Sequence, residues 1–166
     1  MTLLLAGEML GRLYEEQVCS VARALEVVGE RWTLLVLRDA FLGVRRFEDF
    51  QRSLGIARNV LTARLGRLVE EGLLERVRYQ SRPERFEYRL TEKGLGLWPV
   101  IVGLLRWGDE HYAPPAGVPR ILQHRDCGGA IGPDLACERC GAQLGPGDVR
   151  TVNGPGLKAA AATAAG

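Results

Sequence analysis

The stretch Phe47–Leu90, FEDFQRSLGIARNVLTARLGRLVEEGLLERVRYQSRPERFEYRL, decides the fold. Phe47, Phe50 and Leu54 recur at i, i+3 and i+7, one face of a short helix over about Phe47–Ser53 that Gly55 breaks. Ala57–Glu71 then carries Leu61, Leu65 and Leu68 on one face, and Gly72 stops it. Two helices joined by a tight Gly-containing turn, the second longer and amphipathic, make a helix-turn-helix. After it, Leu73–Arg78 and Arg85–Leu90 read as paired strands around residues 79–84. In the second, Phe86, Tyr88 and Leu90 alternate with Arg85, Glu87 and Arg89, the period of a half-buried strand. That hairpin is a wing, so the expected class is mainly α (α+β), built on a winged helix-turn-helix.

Working outward, Ser20 can cap a helix from Ala22 to Val28, stopped at Gly29. Thr33–Leu42 gives a strongly apolar helix ended by Gly43. The winged core thus spans 19–93, preceded by an N-terminal helical arm over 1–18. Thr91 caps a long helix running from Glu92 to about Tyr112, stopped by Pro114-Pro115. Residues 94–113 of it, with Leu97, Val100, Ile101, Leu104, Leu105 and Trp107, carry more apolar surface than a small core can cover. Such a surplus face favours a second copy of the chain, with Leu5, Met9, Leu10 and Leu13 able to supply the other half of the contact. Residues 120–152 form an appendage, and 153–166, rich in Ala and Gly, read as a mobile tail.

Charge is distributed unevenly. The net charge is +2, but residues 31–89 carry thirteen arginines against eight acids, whereas 90–166 carry seven charges of each sign. Every basic residue of the central segment is arginine, the side chain suited to bidentate contact with phosphates and guanine edges. A major groove about 12 Å wide admits one helix, and the helix after the turn normally fills it. With its leucines inward, residues 57–71 turn Asn59, Thr62, Ala63 and Gly66 outward, flanked by Arg58 and Arg67, with Arg64 at the edge. Arg58, Asn59, Thr62 and Ala63 are candidate base readers. Arg45, Arg46, Arg64 and Arg67 are candidate phosphate contacts, and Arg78, Arg82 and Arg85 cluster at the wing to meet backbone or minor groove. Solvated arginines on one face are the plainer alternative; three basic clusters on three consecutive elements favour double-stranded DNA as the partner.

Four cysteines stand in a chain with no signal-peptide core and no apolar run near the ~18 residues of a membrane helix. That combination makes a cytoplasmic location and metal or sensor thiols the expectation. His124, Cys127, Cys137 and Cys140 read H-x2-C-x9-C-x2-C, with glycine after the second ligand of each pair, at Gly128 and Gly141. Two such knuckles provide the closed tetrahedral site of a zinc ribbon, with zinc as a structural cofactor that holds a segment too small to stabilise itself. A redox dithiol at Cys137 and Cys140, or metal-free thiols, are the alternatives. Cys19, just before a helix and near Arg23, is either a redox sensor or an ordinary half-buried residue.

Enzyme chemistry has no support: no phosphate-binding Gly loop, dinucleotide fingerprint or nucleophile–histidine–acid set can be assembled. The competing class is a winged-helix and zinc-ribbon interaction module of the transcription machinery that does not read an operator. Polar Arg58, Asn59 and Thr62 on the outer face argue against it.

The run from Cys19 to His111 resembles the HxlR-type winged helix regulators of bacteria. The resemblance is carried by Cys19…Gly29-Glu30-Arg31-Trp32, Arg46-Phe47, Leu61-Thr62-x-x-Leu65 and Tyr88-x-Leu90-Thr91-x-x-Gly94. It implies a homodimer joined by the helices flanking the core. It also implies binding to an inverted repeat near a promoter, with repression or activation tuned by a small molecule or electrophile. In some relatives the cysteine at the position of Cys19 senses oxidants. Ser20 stands where many relatives have proline, and Arg82-Pro83 replaces a Pro-Pro in the wing.

Overall fold

The computed structural model describes residues 19–164 of the 166-residue chain. The expected arm over 1–18, with Leu5, Met9, Leu10 and Leu13, lies outside the described residues. The described chain divides into two compact units, residues 19–40 with Val44–Arg89, and Phe41–Gly43 with 90–164.

The first unit is the winged helix-turn-helix. Its helices are α1 (Ser20–Val28), α2 (Thr33–Phe41, up to Ala40), α3 (Phe47–Leu54) and α4 (Arg58–Glu70), followed by β1 (Leu74–Ser81) and β2 (Glu84–Leu90). Val36, Leu37 and Ala40 of α2, Phe50 of α3 and Leu61, Leu65 and Leu68 of α4 are fully buried. The 3.6-residue apolar rows read from the sequence thus become the core, where each large side chain contributes about 1.5–3 kcal/mol on leaving water. Gly55 ends α3 at φ +61, a left-handed conformation that costs a Cβ-bearing residue about 1–2 kcal/mol, and its N–H bonds to the Gln51 carbonyl. That turn sets the direction of α4.

Two local expectations of the winged core are corrected. Ser20 is the first residue of α1 and Cys19 occupies the cap position, with no side-chain cap bond. β1 runs on to Ser81, so the hairpin turns at Arg82-Pro83 rather than across six residues. Tyr79, a strong strand former, belongs to the ladder. The segment before α3 also adds to the sheet: Arg46 bridges Glu87, and the Tyr88 N–H donates to the Arg45 carbonyl at 2.8 Å. No alternation in so short a segment announces this.

The second unit contains α5 (Glu92–Leu95), α6 (Trp98–Tyr112), β3 (Arg120–His124), β4 (Val149–Asn153) and α7 (Pro155–Ala164). Thr91 caps α5, its Oγ1 accepting from the Gly94 N–H at 3.1 Å. The single helix expected from Glu92 to Tyr112 is broken at Gly96-Leu97. Pro99 explains the break, because its ring would collide with the Leu95 carbonyl of a continuous helix and it has no N–H to donate. β3 and β4 pair antiparallel, Arg120 opposite Asn153 and His124 opposite Val149.

The expected mobile tail is also corrected, since α7 spans most of it. Gly154 and Gly156 are buried, and their N–H groups bond to the carbonyls of Pro119 and Val118. A Cβ at either would meet a backbone oxygen at 2.1–2.2 Å, so only glycine allows this approach. The alanine run that follows has the highest intrinsic helix propensity of any residue type.

Candidate nucleic-acid interface and metal centre

α4 presents two different faces. Leu61, Leu65 and Leu68 anchor one, while Arg58, Asn59, Thr62, Ala63, Gly66 and Arg67 are exposed on the other. Backbone N–H groups at its start lack intrahelical partners, and no side chain caps it, which leaves a favourable end for an anion. The Thr62 hydroxyl donates to the Arg58 carbonyl at 2.9 Å, leaving its methyl and lone pairs outward.

The arginines separate into distinct environments. Arg45 is half-buried and its guanidinium donates to the Ala40 carbonyl at 2.7 Å, so it closes the end of α2. Arg46, its exposed neighbour, lies over the Tyr79 ring at 4.6 Å. Arg58 lies over the Phe47 ring at 4.7 Å, and Arg76, which the sequence reading passed over, over Phe86 at 4.1 Å. Arg64 pairs with Glu30 at 3.0 Å and is largely covered; Arg67 pairs with Glu71 at 2.6 Å. Arg78 pairs with Glu84 at 3.2 Å across the hairpin. Arg82 and Arg85 are exposed at the wing tip and form no ion pair among the described residues. The aromatic supports escaped the sequence reading, although a cation placed over a ring is worth about 0.5–1 kcal/mol even when exposed. For Arg76 and Phe86, alternation of arginine with aromatic residues in the strands was the signal.

Cys19 is exposed, and its carbonyl accepts from the Arg23 N–H at 3.1 Å.

In the second unit, His124, Cys127, Cys137 and Cys140 converge as their spacing predicts, with all four ligand atoms within 4.8 Å of one another. His124 Nδ1 lies 3.3 Å from both Cys127 Sγ and Cys140 Sγ; Cys127 Sγ lies 3.4 Å from Cys137 Sγ and 3.8 Å from Cys140 Sγ. Sulfurs each about 2.3 Å from a tetrahedral zinc stand about 3.8 Å apart, so the cluster has the dimensions of such a site. The other ring nitrogen of His124 lies 3.7 Å from the exposed carboxylate of Asp126.

The knuckles close as their glycines require. Gly128 (φ +71) and Gly141 (φ +74) donate to the carbonyls of His124 and Cys137. Gly129 was not singled out from sequence; a Cβ there would stand 2.5 Å from Cys137 Sγ. Burial opposes the Cys137 thiolate. Even so, the backbone N–H groups of Cys140 and Arg139, with the thiols of Cys127 and Cys140, outweigh it and lower the pKa to about 6. At Cys127 the Gly129 N–H favours the thiolate, but desolvation and the neighbouring thiols raise the pKa. The donor set and its dimensions are compatible with zinc.

Among the described residues, no helix is long and apolar enough to cross a membrane.

Comparison with known proteins matches residues 27–115 to the HxlR-like helix-turn-helix family. An uncharacterised HTH-type transcriptional regulator of Mycobacterium tuberculosis is 54% identical over 140 residues, covering 84% of this chain and 89% of the relative. An alignment of that length extends past residue 115, into the segment that carries the cysteines. The HTH-type regulator YdeP of Bacillus subtilis is 33% identical over 94 residues, 56% of this chain and 73% of its own length. Among solved structures, the transcription-factor candidate PA1607 is 40% identical with a TM-score of 0.66, covering 81% of this chain and 94% of that one. The reduced redox regulator HypR is 31% identical with a TM-score of 0.53, covering 55% and 92%. The chain belongs to the HxlR-like helix-turn-helix family and is a DNA-binding transcription regulator, not an enzyme.

Proposed function

We propose that the protein acts as a homodimer on an inverted-repeat operator, with α4 in the major groove and the hairpin tip on the backbone or minor groove. The observation that carries this reading is the two-faced α4. Its leucine row is fully buried, and Arg58, Asn59, Thr62 and Ala63 stand exposed at its N-terminal end. Arg and Asn there have the donor geometry for guanine and adenine edges, and Thr62 and Ala63 leave room for a thymine methyl. Arg46, Arg67, Arg82 and Arg85 are the phosphate contacts; Arg78 and Arg64 contribute charge beside their carboxylate partners. Arg45 acts through the fold.

The dimer reading rests on the outer face of α6, where Val100, Leu104 and Trp107 are 44%, 49% and 55% exposed. Trp107 also contacts the rings of His111 and Tyr112, extending the apolar strip. Two copies related by a two-fold axis match half-sites about 34 Å apart, or a multiple of that. The Cys3His cluster holds a structural zinc, and the protein works in the cytoplasm. The effector is a small molecule or electrophile, for which exposed Cys19 is an accessible thiol outside the metal cluster.

Footprinting on the promoter region beside the protein's own gene, with and without thiol oxidant, tests this reading. Two protected tracts related by dyad symmetry are expected, and a single unsymmetrical tract would contradict it. Arg82→Ala should weaken binding to every duplex about equally and flatten the plot of log affinity against log salt by about one. A change confined to the operator would instead make Arg82 a base reader.

A further inference from the structure

The cysteine segment and α6 share one core. Trp98 and Val102, the two buried residues of α6, pack in a single cluster with Ile131, Leu144, Val149 and the metal-ligand candidate Cys137. Cys127, a second ligand candidate, packs against the same cluster, and Phe41 lies 5.4 Å from the Trp98 ring. Arg106, one turn beyond Val102, donates from its guanidinium to the Ile131 carbonyl. The segment over 120–153 buries few apolar residues of its own, too few to stabilise it unaided. It therefore leans on α6 for the rest of its core, and α6 leans on it. The opposite face of the helix, bearing Val100, Leu104 and Trp107, is the one left open.

We propose that the metal site is the seat of α6: metal binding between the knuckles fixes the helix whose outer face pairs with a second copy, so metal affinity and pairing are coupled. This rests on the zinc and homodimer readings above. The physical route is short. Cys137 is at once a ligand candidate and a member of the buried cluster that holds Trp98 and Val102, so drawing four ligand atoms onto one ion tightens that cluster. Releasing the ion frees both knuckles and loosens the surface on which α6 rests. Coupling between two binding events is reciprocal by thermodynamic necessity, which makes it measurable from either side.

The test titrates full-length protein with Zn2+ against a competing chromophoric chelator under reducing conditions. Val102→Ala, on the inner face, should lower zinc affinity about tenfold, while Glu48→Ala, exposed on α3 and part of neither the ligand cluster nor the pairing face, should leave it within twofold. In parallel, removing zinc from the wild-type chain should speed amide exchange across Trp98–Gly108 at least tenfold and raise the dimer dissociation constant by a similar factor. Exchange on the wild-type chain keeps the proposal testable where Val102→Ala fails to fold. Normal zinc uptake with equal affinities in Val102→Ala and wild type, or with unchanged exchange on zinc removal, overturns the coupling and leaves the zinc reading standing. Faster exchange with an unchanged dimer constant also overturns it, by separating the helix from pairing. Uptake below a quarter-equivalent of zinc by the wild-type chain overturns the zinc reading and the coupling with it.

Discussion

The chain carrying Arg58→Ala with Asn59→Ala is expected to lose specific DNA binding while keeping its fold. Both side chains are exposed at the start of α4, so neither substitution opens a cavity. A well-formed bidentate contact to a base discriminates by about 1–3 kcal/mol, so together they should lower operator affinity by about 2–6 kcal/mol. Binding to an unrelated duplex should fall far less, because only one positive charge is removed and the phosphate contacts stay in place. Competition binding at one fixed salt concentration, on the operator and on a scrambled duplex, separates the two. An unchanged ratio between them would remove Arg58 and Asn59 from the readout. Arg58 lies over Phe47, so Phe47→Leu should show part of the same loss by freeing the guanidinium to wander.

Cys137→Ser should produce the second large effect, confined to the second unit. Cys137 is 2% exposed and sits within both the ligand cluster and the apolar core. A structural zinc supplies about 10–16 kcal/mol to small metal-held peptides at neutral pH, and a site missing one of four ligands forfeits a large part of it. Zinc content should drop below a quarter-equivalent after dialysis. Residues 120–153 should become open to proteolysis while Val44–Arg89 stays resistant, since its core of Phe50, Leu61, Leu65 and Leu68 contains none of these ligands. Retention of a full equivalent of zinc would show that Cys137 is not a ligand.

The winged core was legible because its signals are local and mutually consistent. Leucines at 61, 65 and 68 can share a face only in a helix, and Gly55 and Gly72 mark where that helix cannot extend. The ligand set was legible for the same reason. Two short Cys/His pairs each followed by glycine describe a knuckle geometry that needs no knowledge of the rest of the chain, and His124, Cys127, Cys137 and Cys140 converge. The break between α5 and α6 was written locally too, in Pro99, but apolar periodicity runs smoothly across it and masks it.

Other features depend on partners distant in sequence. Thirteen arginines in the central segment look equivalent in one dimension, yet Arg45 closes a helix end, Arg64 pairs with Glu30, and Arg46 and Arg58 rest on aromatic rings. A charged side chain takes the partner that the folded backbone brings within about 4 Å, and spacing along the chain does not record which one that is.

The sequence by itself determined the helices and hairpin of the winged core, the buried leucine row, the exposed polar row of α4 and the four converging ligand residues, because each follows from local periodicity or spacing. Only the tertiary structure decided which arginines remain free, that residues 155–164 form a helix anchored by Gly154 and Gly156, and that α6 spends its inner face on the cysteine segment. Those outcomes depend on which surfaces meet, and burial is a property of the meeting rather than of either surface alone.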